Sequence, residues 1–187
     1  TVGLFYYSFL LKKIAFLGNI VVAFFVALSF ITIFLFENGH YKNHQNTVDY
    51  FQSFFEMFTL VEIFIHYILF AFITTIIREI IKDIEDVEGD YKQQMNTIPI
   101  LFGKAIAKKI AVALSIILLF LVLFTIKNSS DFILLKMYLR IFIFLPLLYF
   151  TYKLWNASTK KDFTHLSSLM KVSMFLGIIS MLLFYFK

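Results

Sequence analysis

The chain has 187 residues, 60% hydrophobic and 20% aromatic, against the roughly 45–50% apolar content of soluble domains, and its mean hydropathy of +0.84 excludes a soluble globular protein. No cysteine is present, which excludes disulfides and thiolate metal sites and leaves the redox compartment undetermined. The formal charge of +5 does not point to nucleic acid, because the basic residues are distributed between apolar runs rather than gathered in one patch.

In chain order, residues 4–11 (LFYYSFLL) are too short to span a membrane and read as the tail of an earlier helix. Nothing near Thr1 has the charged, apolar and small-residue sections of a signal peptide, so the chain reads as part of a longer protein. Five apolar runs follow, at about 14–36, 57–77, 105–126, 132–152 and 170–186, each near the ~20 residues a spanning helix needs. The expected fold is an all-α polytopic transmembrane helix bundle forming a single domain over 1–187.

The first span opens with Gly18-Asn19 and carries Val21, Ala23, Ala27 and Ser29, small residues that permit close helix contacts. A polar loop from Glu37 to about Phe55 is predicted on the turn chemistry of Asn38-Gly39. The second span flows without a break into residues 78–90, REIIKDIEDVEGD, with Gly89 as the predicted helix exit. Pro99 disfavours helix at the residue before it, which predicts an irregular stretch from Asp90 to Gly103. Residues 127–131 are a short connection between the third and fourth spans, Pro146 should kink the fourth, and Tyr149, Tyr152 and Trp155 suit an interfacial aromatic belt.

The cations give an orientation. One side carries Lys12, Lys13, Arg78, Lys82, Lys92, Lys104, Lys108, Lys109, Lys153, Lys160, Lys161 and Lys171. The other carries Lys42, Lys127 and Lys187, with Lys136 and Arg140 inside the fourth span. The positive-inside rule assigns the first side to the cytoplasm of an inner, cytoplasmic membrane.

The acidic stretch is the most informative. On an α-helix Glu79, Asp83, Asp86 and Asp90 follow at steps of four, three and four, so all four carboxylates share a face. Like charges so placed repel by about 0.2–0.5 kcal/mol per pair. A hard cation with a phosphate-bearing ligand would offset that repulsion, and Mg²⁺ is the usual one. The competing reading is a solvated helix end with Lys82 and Lys92 as surface partners.

Other constellations are weaker. His40 and His44 stand at i, i+4 but in the predicted polar loop. Glu62 and His66, also at i, i+4, lie inside the second span and suggest a proton- or ion-coupled transporter, or simply a pair bonded to each other within the bundle. The 26 Phe and 10 Tyr are read as core and lipid-facing surface rather than a cofactor box.

Asp83-x-x-Asp86-x-x-x-Asp90, preceded by Arg78-Glu79-x-x-Lys82 and followed by Thr97-Ile98-Pro99-Ile100, resembles the second aspartate-rich motif of the UbiA superfamily of intramembrane prenyltransferases. Tyr7-Ser8-x-x-Leu11-Lys12-Lys13, then Gly18-Asn19, resembles the segment preceding a later transmembrane helix of the same family. The resemblance covers essentially the whole chain and implies the later part of a nine-helix bundle. It implies a Mg²⁺-dependent transfer of an isoprenoid chain from a prenyl diphosphate donor to a lipid or aromatic acceptor. Asp83, Asp86 and Asp90 would hold the metal, and Lys12, Arg78, Lys82 and Tyr7 would bind the diphosphate. For Tyr7 and Lys12 the alternative is interfacial anchoring of a helix end. The catalytic residues are left unassigned. The family's first motif, of the Asn-Asp-x-x-Asp-x-x-x-Asp type, does not occur in these residues and would lie upstream of Thr1, so the 187-residue piece alone is not expected to turn over. The acidic stretch looks most like the branch that prenylates geranylgeranylglyceryl phosphate, with an aromatic acceptor of quinone or haem synthesis as the alternative.

Overall fold

A computed structural model of the protein describes the backbone of residues 17–41, 49–128 and 133–183, and the side chains of 17–29, 32, 64–128 and 133–183. The elements are α1 (Leu17–Tyr41), α2 (Asp49–Glu85), α3 (Val87–Lys92), α4 (Ile98–Phe102), α5 (Lys104–Asn128), α6 (Ile133–Tyr138), a π turn (Leu139–Phe144), α7 (Leu145–Asn156) and α8 (Lys160–Leu182). No strand occurs among the described residues. Phe64–Glu85, Lys104–Asn128, Ile133–Asn156 and Lys160–Leu182 are long and apolar enough to cross a bilayer, and Leu17–Ser29 is a shorter apolar stretch. The protein is an all-α polytopic membrane protein.

Three helix ends differ from the sequence expectation. α2 begins at Asp49, inside the stretch expected as a polar loop to about Phe55, because Tyr50, Phe51, Phe54 and Phe55 extend the apolar run backwards. α1 runs through Asn38-Gly39 to Tyr41, since a turn-prone pair costs little in the last turn of a helix that continues by hydrogen bonding. α8 begins at Lys160, well before residue 170, because Thr159 and Asp162 form a reciprocal capping box. The Asp162 carboxylate accepts from the backbone of Thr159 at 2.8 Å and of Ser158 at 3.0 Å.

α2 is the central helix, packed against α1, α5 and α8. Its Ile77, Ile80, Ile81 and Ile84 are buried in one cluster with Ala107, Ala111 and Leu118 of α5 and Leu166 and Met170 of α8. α1 turns a seam of Gly18, Asn19, Ala23 and Ala27 inward, and each of these is buried. Small residues at that spacing let two backbones approach, the usual basis of helix packing where lipid removes the hydrophobic drive. Outward-facing Phe24, Phe25, Phe120, Phe124, Phe175 and Ile178 offer an apolar surface that suits acyl chains and would be a liability in water.

Among the described residues, most polar side chains buried inside the bundle are answered within it. Ser180 donates to the Gly177 carbonyl at 2.6 Å, which makes the Tyr67 hydroxyl the donor in its 2.6 Å bond to Ser180 and ties α2 to α8. Beside that bond Gly177 is required for space: a Cβ there would stand 2.7 Å from the Phe70 ring. Tyr138 donates to the Leu176 carbonyl at 2.9 Å, tying α6 to α8. Lys108 of α5 donates to the carbonyls of Trp155 (3.2 Å) and Ala157 (3.0 Å), supplying a cation to the C-terminal end of α7.

The interruption expected at Pro146 takes the form of a π turn just before it. Leu135, Leu139, Ile143 and Leu147 are all buried at spacings of four. On an α-helix at 3.6 residues per turn that stripe would drift by about 120°. A slower local turn keeps it facing the core, and the Leu145 N–H accordingly reaches back to the Arg140 carbonyl. Pro146 then falls in the first turn of α7, where its missing N–H is tolerated.

The connection from α2 to α5 is also more ordered than expected. The helix exit is at Gln94 rather than Gly89, because Gln94 takes the left-handed backbone conformation (φ 55°) while Gly89 lies inside α3. Gln94 N–H bonds to Tyr91 O (3.1 Å) and Met95 N–H to Asp90 O (3.0 Å), the two bonds of a Schellman cap. Pro99 sits in the first turn of α4 and Thr97 precedes it with extended backbone. Gly103 alone joins α4 to α5, at φ 86° and ψ 153°, a region open essentially to glycine. Gly103→Ala should therefore destabilise the protein by about 1–3 kcal/mol, whereas Gly89→Ala, with nothing within 4 Å of the added carbon, should be neutral or stabilising. Thermal unfolding of the two variants in one detergent checks the contrast, and equal behaviour would refute the assignment.

Candidate functional site

The acidic stretch lies where α2 ends. Helical hydrogen bonding persists from Lys82 O to Asp86 N (2.9 Å) and from Asp86 O to Asp90 N (3.0 Å), but the chain bends at Asp86. Asp86 has φ −99° and ψ 11°, in the sparsely used bridge region. The four carboxylates therefore do not follow one uninterrupted helix, as their spacing alone predicted. α2 carries Glu79 and Asp83, the bend carries Asp86, and the short α3 carries Asp90.

Each acid has different surroundings. Asp83 is half-buried, and its Oδ2 accepts a 2.9 Å hydrogen bond from Asn19 Nδ2 across the α1–α2 seam. Asn19 is itself buried, at 8% exposure, so the amide has no water to satisfy it and the carboxylate is its partner. Glu79 and Asp90, with Lys82 as counter-charge, lie near enough to Asp83 to bear on its charge. Glu79 is paired with the guanidinium of its neighbour Arg78. Glu85 turns to α8, where Thr164 Oγ1 stands 2.8 Å from its Oε1 and 3.1 Å from the Lys160 carbonyl. Asp86 occupies the N-cap position of α3, yet its carboxylate does not close the cap.

The residues singled out in the sequence are thus brought together only in part. Arg78 lies about 140° round the helix from Asp83 at 100° per residue, and its guanidinium is engaged by Glu79. Lys82 is exposed, one residue from Asp83. Tyr7 and Lys12 lie outside the described residues, as do His44 and the side chains of His40 and Glu62. His66 stacks on Phe124 of α5, with ring centroids 5.8 Å apart. Sequence reasoning gave no role to Asn19 or Thr164. For Asn19 a signal was available: an amide in a seam of small apolar residues inside a span calls for a polar partner. No comparable signal marks Thr164.

The donor set is one of hard oxygens. Among the described residues no group of three or more His, Asp or Glu side chains stands together as a metal cage. Mg²⁺ does not ask for one, since it keeps several waters and is held by one or two carboxylates plus the phosphates of a substrate. Asp83, fixed through one oxygen, and Asp86, not spent on its cap, suit that mode of binding.

A polytopic helical bundle whose central helix ends in an aspartate-rich stretch defines the class: a membrane-embedded helical protein. The chain belongs to the UbiA prenyltransferase family, whose sequence profile matches residues 1–179. It is similar to the digeranylgeranylglyceryl phosphate synthase of Methanosphaera stadtmanae, with 34% identity over 117 residues, 63% of this chain and 35% of the relative. That of Methanobrevibacter smithii is 36% identical over 114 residues, 61% of this chain and 34% of the relative. That of Saccharolobus solfataricus is 31% identical over 182 residues, 97% of this chain and 57% of the relative. The matched stretches thus span between about a third and three fifths of the length of these relatives. No solved structure matches the chain.

If the Asn19–Asp83 bond fixes the carboxylate, the two side chains should be energetically coupled. A double-mutant cycle of Asn19→Ala and Asp83→Ala should return a coupling on the order of 1–3 kcal/mol in unfolding free energy, the range for a hydrogen bond to a charged group. Additive effects would show that the contact does not hold α1 to α2.

Proposed function

We propose that the protein transfers an isoprenoid chain from an allylic prenyl diphosphate to the hydroxyl of a glycerol-phosphate lipid, with the end of α2 binding the diphosphate through Mg²⁺. The observation that carries this reading is the Asn19–Asp83 hydrogen bond, which holds one carboxylate of the aspartate-rich stretch in place at the helix end. Family membership supports the reaction class, and the similarity to digeranylgeranylglyceryl phosphate synthases supports a geranylgeranylglyceryl phosphate acceptor over an aromatic ring. The rest of the donor site, on this proposal, comes from the family's first aspartate-rich motif, which is not among these 187 residues. The bundle described here would be the later part of the whole enzyme. The basic residues clustered at this end favour placing the site at the cytoplasmic face.

The reaction breaks the bond between the allylic carbon and the diphosphate oxygen, forms an ether bond to the acceptor oxygen, and releases the hydroxyl proton. Asp83 and Asp86, with Asp90, would hold Mg²⁺, which when bound would supply charge neutralisation for the departing diphosphate. The protein's own residues do the positioning. Asn19 keeps Asp83 oriented, so that no reorganisation is needed when negative charge develops. The Glu85–Thr164 contact anchors the turn after Asp83 to α8, which limits the movement of the bend at Asp86. Lys82, exposed beside Asp83, is placed to meet phosphate oxygens as a point charge. Tyr7 and Lys12, which precede α1 in the sequence, would on this proposal also bind the diphosphate. The buried isoleucines of α2 keep water from the helix end, and an allylic cation has to be shielded from water.

The test is transfer by the whole protein from geranylgeranyl diphosphate to geranylgeranylglyceryl phosphate. Asp83→Asn and Asp86→Asn should each lower the Mg²⁺-dependent rate by about 100-fold or more, the usual cost of a lost electrostatic group at a reacting centre. His66→Ala should leave the rate within a few-fold. A protein that depends on His66 and not on the aspartates would belong to the ion-coupled class instead.

A further inference from the structure

We infer that Arg140 binds the anionic headgroup of a membrane lipid at the end of the bundle opposite the aspartate-rich stretch. The end is fixed by connectivity. Glu85, Lys104, Asn156 and Lys160 mark the end that carries the acids, whereas α5 leaves and α6 enters at the other. Arg140 lies seven residues into the span Ile133–Asn156, which has 24 residues. At 1.5 Å per residue the span is about 36 Å long and Arg140 is about 10 Å from its start. Centred on a hydrocarbon core of about 30 Å, that places its Cα about 7 Å inside the apolar boundary.

A guanidinium at that depth needs an anion, and the protein does not provide one among the described residues. The span Ile133–Asn156 contains no Asp or Glu. Arg140 is exposed, and no hydrogen bond or ion pair engages its side chain. The side chain is long enough to reach the headgroup layer while its stem stays in hydrocarbon. Its neighbours decide what kind of anion fits. Ile133, Met137, Ile141 and Leu145 are exposed and apolar, and Leu145 is one turn further along, since its N–H bonds to the Arg140 carbonyl. A free phosphate would gain nothing from such a strip, whereas a lipid lays its acyl chains along it and its phosphate against the guanidinium. The π turn contributes by keeping Leu135, Leu139 and Ile143 on the core side, which leaves Arg140 facing outward.

The test is native mass spectrometry of the whole protein, freed of lipid in detergent and then given equal amounts of phosphatidylglycerol and phosphatidylcholine. The protein should retain phosphatidylglycerol in preference, by roughly fivefold, the effect of one basic group at an anionic surface. Arg140→Gln and Arg140→Met should each abolish that preference. Lys153→Gln, which removes a cation at the other end of the same span, should leave it intact. Circular dichroism establishes that the variants keep their helix content, and Arg140→Met places an apolar group that hydrocarbon tolerates. Equal retention of the two lipids, or a preference that survives both Arg140 variants, would overturn the site. Displacement of the lipid by millimolar inorganic phosphate would overturn the lipid assignment in favour of a free anion. The outcome does not depend on the transfer reaction, because the readout is lipid retention.

Discussion

At the end of α2 the half-buried carboxylate of Asp83 is oriented by the amide of Asn19. The bond from Asn19 to Asp83 joins two features that neither helix could sustain alone: a buried amide on α1 and a half-buried acid on α2. Removing either leaves a polar group in an apolar seam, where an unmet hydrogen-bonding atom costs about 1–3 kcal/mol. The contact also sets the register of α1 on α2. Ala23 and Ala27, one and two turns further along α1, are buried in line with Asn19, so the polar contact and the close-packed seam enforce the same alignment.

The same economy governs the rest of the bundle. The interhelical polar contacts seen among the described residues lie near the end of a helix or beside a small residue, where backbones are close enough for short side chains to reach. Tyr67 meets Ser180 beside Gly177, Tyr138 meets the Leu176 carbonyl, and Lys108 caps the end of α7. Many remaining hydroxyls, such as those of Thr75, Thr125 and Ser173, bond back to the carbonyl four residues earlier on their own helix. Thr97 is the exception: its buried hydroxyl has no partner among the described residues. It stands in the stretch that follows the acidic motif, at the N-cap of α4, and nothing in the packing accounts for it.

Sequence gave access to the membrane class, the apolar runs and the acidic helix end because each depends on composition or short-range periodicity. The ends of the third span were legible to within a few residues, since Lys104 and Lys127 bracket an apolar run interrupted only near its start by Lys108 and Lys109. The start of α8 was not read, because Lys160, Lys161 and Asp162 look like a loop when only hydropathy is weighed; the Thr159–Asp162 capping pattern was there to be seen. The exit from α3 was misplaced on Gly89 because glycine is the usual left-handed residue, while the chain uses Gln94. The shared face of carboxylates was inferred from helical spacing, which cannot reveal a bend at Asp86. The partners of the acids, Asn19 at a sequence separation of 64 and Thr164 at 79, are long-range contacts. No local pattern encodes those pairings.

The proposed chemistry requires Asp83 and Asp86 to hold a divalent ion that in turn holds diphosphate. Electron spin resonance of the whole protein with Mn²⁺ in place of Mg²⁺ and a non-hydrolysable prenyl diphosphate bound measures this directly. The expected result is a phosphorus hyperfine coupling to the bound Mn²⁺, lost on Asp83→Asn with Asp86→Asn and retained on Lys153→Gln. An unchanged coupling in the double aspartate variant, or bound Mn²⁺ with no phosphorus beside it, would contradict the central claim.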